Sequence, residues 1–150
     1  MNSAPSLLTR FLWWAGSLFA GLLAGSGVNV ALIQVGVWLF PLVPSGGGDA
    51  SDPAVLNAAI AAADPPRLLP PFIAHAGGTF VGALVASAIA RTRRSGMIAA
   101  LQIGCLFLIG GIMMVRALPA TPTWWVLLDL IGAYIPMAAA GWAVVRGWKR

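Results

Sequence analysis

From Pro71 to Ala90 the chain reads PFIAHAGGTFVGALVASAIA, without a single Lys, Arg, Asp or Glu, and the arginines Arg91, Arg93 and Arg94 follow at once. An uncharged apolar run of this length is long enough to cross the core of a bilayer as one helix. Three further apolar runs, one holding Arg116 and one Asp129, join it to predict spans over residues 11–40, 71–90, 97–118 and 124–145, with a loop over 41–70. The expected fold is therefore all-α: an integral membrane four-helix bundle forming a single transmembrane domain over 1–150. Composition agrees, since 59% of the residues are hydrophobic and only 9% are charged, against roughly 25% charged in soluble domains.

The excess of cations does not point to nucleic acid. A formal charge of +5 would suggest it in a soluble protein, but here the basic residues stand at the ends of apolar runs, where they set membrane topology. With four spans both termini lie on one side. Arg10, Arg91, Arg93, Arg94, Arg146, Lys149 and Arg150 share that side, while Arg67 and Arg116 lie opposite. The positive-inside rule makes the first side cytoplasmic. Asp49, Asp52 and Asp64 fall on the other side. The tryptophans Trp13, Trp14, Trp38, Trp124, Trp125, Trp142 and Trp148 all fall near span ends, as an interfacial aromatic belt requires.

Small residues mark where helices should meet. Ala74, Gly78, Gly82, Ala86 and Ala90 recur every fourth position, with Gly78 and Gly82 forming a GxxxG, so one face of the second span admits a close neighbouring backbone. In the first run Gly21, Gly25 and Asn29 form a similar row, with Asn29 expected to make an interhelical hydrogen bond. That run begins like a signal peptide, with Arg10, an apolar stretch and small residues near Ala24 to Gly27, but it stays apolar for a dozen further residues, which argues against cleavage. At thirty residues it is roughly 45 Å long as a helix, so it must tilt, protrude or loosen at Gly25-Ser26-Gly27. In the fourth span Asp129, Gly132 and Pro136 share a face, and Pro136 should kink the helix.

The loop has its own signals. Pro41, Pro44 and Gly46-Gly47-Gly48 predict a flexible link. Asp52-Pro53 starts a short helix and Asp64-Pro65-Pro66 stops it. Too short to span, this amphipathic helix should lie at the interface or cap the bundle.

Counted inward from the span ends, four polar residues reach similar depth on the outer side: His75, Asp129, Arg116 and Gln34, with Thr79 one turn deeper than His75. An ionised Asp129 is costly facing lipid and should turn inward to pair with His75 or Arg116. Two readings follow. The cluster is either a polar knot that fixes helix register, or an outward-facing site for protons or anions, since histidine changes charge near neutral pH. One histidine and one carboxylate are too few ligands for a metal, and no cofactor is expected. Cys105 is the sole cysteine, which excludes an internal disulfide or a CxxC pair. Thr79 and Ser87 lie deep, with no oxyanion donors evident, so no catalytic residue is assigned.

The strings AHAGGTFVGALVASAIA, LFLIGGIMM and LLDLIGAYIPMAAAG resemble a family of small bacterial four-span membrane proteins. Its pattern is A-H-x-L-G-T-x-x-G-A in the second span and D-L-x-x-A-Y-I-P-M-A in the fourth. Gly77 departs from it at the leucine position. The resemblance covers about half the chain and implies that His75, Gly78, Thr79, Asp129, Tyr134 and Pro136 belong to the signature and that the protein sits in a bacterial inner membrane. It brings no activity with it. Two functional classes stand: an oligomeric transporter or channel-like protein using the polar cluster, or a non-catalytic accessory subunit of a larger membrane complex recruited through its GxxxG faces.

Overall fold

The computed structural model describes residues 6–42, 48–49, 51–90 and 92–148. Helix α1 (Leu7–Leu39) is followed by a short α2 (Pro53–Ala61), a 3-10 turn (Pro65–Leu68), α3 (Leu69–Ile89), α4 (Arg93–Ala117), α5 (Thr123–Gly132) and α6 (Ile135–Trp148). Four segments are long and apolar enough to cross a membrane: α1, the 3-10 turn with α3, α4, and α5 with α6. The chain is a multi-pass, all-helical membrane bundle, with no strand among the described residues. Pro44, Gly46 and Gly47 of the predicted link, and the cationic Arg91, Lys149 and Arg150, lie outside the described residues.

Span ends differ from the apolar runs where a cap extends the helix. Ser6 accepts a hydrogen bond from the Thr9 amide at 3.2 Å, so α1 begins four residues before Phe11. Thr92 and Ser95 form a reciprocal capping box, which starts α4 ahead of Met97 and draws Arg93 and Arg94 into its first turn. Helix α1 stays unbroken through Gly25-Ser26-Gly27. The loosening foreseen there does not occur. Its 33 residues give a helix of about 50 Å, which exceeds the apolar thickness of a bilayer and must be met by tilt or protrusion.

Backbone contact between small residues sets the packing. Gly21 and Gly25 of α1 meet Gly82 and Gly78 of α3 in antiparallel order. A Cβ added at Gly25 would stand 2.7 Å from the Gly78 carbonyl oxygen, and one at Gly21 2.7 Å from that of Gly82. Neither distance is tolerable for a real side chain, so these glycines are what lets α1 and α3 approach. Asn29 extends the same row differently from its expected role: its Cα and Cβ pack on Gly78, and it forms no hydrogen bond among the described residues. On the opposite side of α3, a Cβ at Gly141 of α6 would lie 2.6 Å from the Phe80 carbonyl oxygen and 2.9 Å from the Leu84 nitrogen. Between these contacts sits a core of Ala83, Ala86, Ala99, Ala100, Ile103 and Ala138. Small side chains bring the helices close enough for dispersion to hold them where lipid removes the hydrophobic driving force.

Helix α2 caps one end of this bundle. Asp52 accepts from the Ala54 amide at 2.8 Å to start it, with Pro53 in the first turn. Ahead of it, the Ser51 amide donates to Asp49 and holds that carboxyl below the usual carboxylate range. Asn57 ties α2 to the α4–α5 loop, donating to the Ala117 carbonyl at 3.3 Å and accepting from the Ala120 amide at 3.1 Å. Ile60 joins Leu68, Leu118 and Trp125 in a second buried cluster. Trp125 is thus a core residue rather than part of an interfacial belt: it is buried, and its indole N–H donates to the Leu68 carbonyl at 2.7 Å. Trp124 beside it stays exposed.

The fourth span is two helices, not one kinked helix. Pro136 has no amide to donate, and the helix stops at Gly132 and restarts at Ile135. Ala133 and Tyr134, which form the break, are almost fully buried. Interrupted backbone at membrane depth is tolerable only when enclosed by protein in this way. Pro136 itself is exposed, so its part in packing is to break the helix rather than to touch a neighbour. Gly132 faces Phe72, whose ring would lie 3.4 Å from an added Cβ.

Candidate functional site

At the α2 end the helices enclose a cavity of about 330 Å³. Its walls are apolar: Ile33, Gly36 and Val37 of α1, Gly111, Met114 and Val115 of α4, and Trp125 of α5, under a roof of Leu56 and Ile60 from α2. Toward the opposite end, α1 and α4 meet where Gly21 packs on Ile103 and Gly25 on the Phe107 ring. One to two turns beyond, both helices line the cavity instead.

The deepest lining residues share one level. Ile33, His75, Gly111 and Asp129 each stand six residues from the end of their own helix, about 9 Å in at 1.5 Å per residue. Two of them are polar, and they touch. The His75 Nδ1 lies 2.9 Å from Asp129 Oδ1. Tyr134, at the break between α5 and α6, donates its hydroxyl to Asp129 Oδ2 at 2.9 Å, and its oxygen lies 3.1 Å from His75 Nδ1. Asp129 is 1% exposed, so both its oxygens are partnered with no water required. His75 retains 15% exposure and lines the cavity.

This triangle selects a tautomer. With the proton on Nδ1, that N–H is shared between Asp129 Oδ1 and the Tyr134 oxygen while the tyrosine O–H serves Oδ2, and all three contacts join a donor to an acceptor. With the proton on Asp129 instead, the 3.1 Å approach of the tyrosine oxygen to Nδ1 would set lone pair against lone pair. The carboxylate therefore fixes the ring through Nδ1–H and, in the neutral imidazole, leaves Nε2 as an acceptor with no partner among the described residues. Trp125 stands edge-on to the imidazole at 6.3 Å, which closes a further side of the ring.

Two further glycines admit rings at this end, and Gly111 makes room for the triangle itself. A Cβ at Gly111 would collide with the Tyr134 hydroxyl, and one at Gly36 with the Pro70 ring. Thr79, placed in the polar cluster by sequence, is fully buried but donates its hydroxyl back to the His75 carbonyl at 2.8 Å, so it steadies the α3 turn and does not reach the imidazole.

Arg116 and Gln34 do not join the cluster. Both are exposed, and among the described residues the sole contact of a basic side chain with a carboxylate is His75–Asp129. Arg116 stands one residue from the end of α4, shallower than His75 and Asp129, and neither side chain lines the cavity: Val115 and Ile33, the residues just before them, do. One residue turns a helix by about 100°, which carries Arg116 and Gln34 to the outer surface. Tyr134 was absent from the residue-based cluster, since a continuous fourth helix gave no reason for its ring to fold back. The signals available were its being the only tyrosine and the Gly110-Gly111 pair able to receive a ring.

Among the described residues no group of three His, Cys, Asp or Glu side chains is placed to hold a metal. No family model, curated protein or solved structure matches the chain.

Proposed function

We propose that the protein is a small transporter-like binding protein of a bacterial inner membrane, with cytoplasmic termini, that takes a small lipophilic solute into the cavity at its outer, α2-capped end. The observation that carries this reading is the adjacency of three features. An apolar cavity ends on His75, the imidazole is oriented by a buried carboxylate, and the span supplying that carboxylate is interrupted one turn deeper, at the tyrosine that meets both. Discontinuous membrane helices recur at transporter binding sites, because the break frees polar groups and gives the span a hinge. Here the break at Ala133–Tyr134 lies ten residues into the fourth span, about 15 Å from its start and so near mid-bilayer. A movement of α5 against α6 would pass through the Tyr134 hydroxyl to His75 and Asp129.

The alternative, an accessory subunit recruited through glycine-rich faces, draws less support. Gly21, Gly25, Gly78 and Gly82 are already occupied in the contact between α1 and α3. Self-association would have to use other surfaces, such as the exposed apolar side of α1 around Phe19, Leu23 and Val30.

The two readings separate on purification from native membranes. The proposed function predicts a stoichiometric small lipophile in solvent extracts of the wild type, absent from a Val115→Trp variant that fills the cavity. A stoichiometric larger polypeptide, with no extractable lipophile, would favour the accessory subunit.

A further inference from the structure

Building on the solute-binding reading above, we propose that the cavity is selective for a neutral lipophile bearing a hydroxyl group, a phenol or alcohol, whose O–H donates to His75 Nε2. The polar groups of the lining narrow the choice. An anion at the cavity floor would face the Asp129 carboxylate at close range. A cation would need to reach the Asp129 carboxylate, which is 1% exposed and already met by His75 at Oδ1 and Tyr134 at Oδ2. Among the described lining residues, the remaining polar side chains are Arg67 and Thr121. Arg67 belongs to the 3-10 turn before α3 and Thr121 to the loop before α5, so both are anchored nearer the end of the bundle than His75. The floor therefore offers one open hydrogen-bonding atom, Nε2.

In the neutral imidazole, whose single proton is held at Nδ1 by Asp129 and Tyr134, Nε2 accepts and does not donate. A ketone, ester or ether oxygen placed there would oppose its lone pairs. A hydroxyl satisfies it, and the apolar walls take the hydrocarbon body. The volume of about 330 Å³ falls at the small end of the usual range for ligand cavities, which suits a single ring with a short alkyl tail. Trp125, edge-on to His75, gives an aromatic wall for such a ring.

Equilibrium binding of three probes with the same body tests this: 4-hexylphenol, 4-hexylanisole and 4-hexylbenzoate, measured on the detergent-purified full chain with Val115→Trp as the blank. The phenol should bind about tenfold tighter than the anisole, the scale of one hydrogen bond made in an apolar site, and tighter than the benzoate. In the double variant His75→Gln with Asp129→Asn, the preference for phenol over anisole should fall to within about twofold. Equal binding of phenol and anisole to the wild type, or tighter binding of the benzoate, overturns the hydroxyl assignment and leaves the cavity as a general lipophile site. If no probe binds above the Val115→Trp blank, the solute-binding reading itself fails. The wild-type comparison needs no substitution in the triangle, so poor folding of the double variant does not blunt it.

Discussion

Asp129 is the residue on which the local energetics turn. A carboxylate in an apolar interior costs several kcal/mol unless it is paired and its oxygens are met, and here His75 and Tyr134 do both. Removing His75 alone should therefore hurt more than removing the pair. We expect His75→Ala to lower stability by about 3–5 kcal/mol, and His75→Gln with Asp129→Asn to recover most of that loss, read by thermal unfolding in detergent. A double variant as unstable as the single one would mean that the pair is not the source of the cost. Tyr134→Phe, which leaves the ring against Gly111 but removes one hydrogen bond to a charged group, should cost about 1.5–3 kcal/mol. His75 and Asp129 could be picked out from sequence as partners because both sit at the same depth and an intramembrane carboxylate needs a donor. Arg116 could not be excluded, since depth along a helix follows from counting residues while direction around it depends on which neighbour the helix packs against.

At the scale of the elements, glycines decide which helices touch, and they divide into two kinds. Gly25, Gly78 and Gly141 leave no room for a Cβ, whereas Gly16, Gly27, Gly110 and Gly147 have nothing within 4 Å of one. Alanine at Gly141 should destabilise the fold by about 1–3 kcal/mol, the usual scale for overpacking, while Gly110→Ala should be neutral or mildly stabilising through helix propensity. Comparable losses at both positions, measured by unfolding, would show that α6 does not lie on α3 as described. The row Gly78-Gly82 was legible as a close-contact face because its four-residue spacing is a property of the helix alone. Its partner row, Gly21 and Gly25, could be seen too, but not that the two rows face each other. The break in the fourth span was half legible. Pro136 announces a disturbance, yet whether a proline bends a helix or divides it depends on whether the freed backbone can be buried, and that is a matter of packing around Ala133 and Tyr134.

For the whole molecule, orientation and the cavity are linked: if the α2 end faces outward, the cavity does too. Cysteines at Ser51 and Ser95, in a Cys105→Ser background, should react with an impermeant maleimide from opposite sides of the membrane, Ser51 from the outside. The positions are suited to it, since they lie at opposite ends of the bundle, Ser51 exposed and Ser95 half-buried in the first turn of α4. Labelling of both from one side would contradict the four-span arrangement. The central claim, that a cavity at this end stops on an accessible imidazole nitrogen, can be tested on a single side chain because the protein has one histidine. Diethyl pyrocarbonate acylates unprotonated imidazole nitrogen, and mass spectrometry reads its addition to His75 directly. In membranes the wild type should be modified at His75, and Val115→Trp, which puts a bulky ring on the cavity wall and leaves His75, Asp129 and Tyr134 unchanged in sequence, should slow that modification at least tenfold. An unreactive His75 in the wild type, or equal rates in the two proteins, would contradict the account.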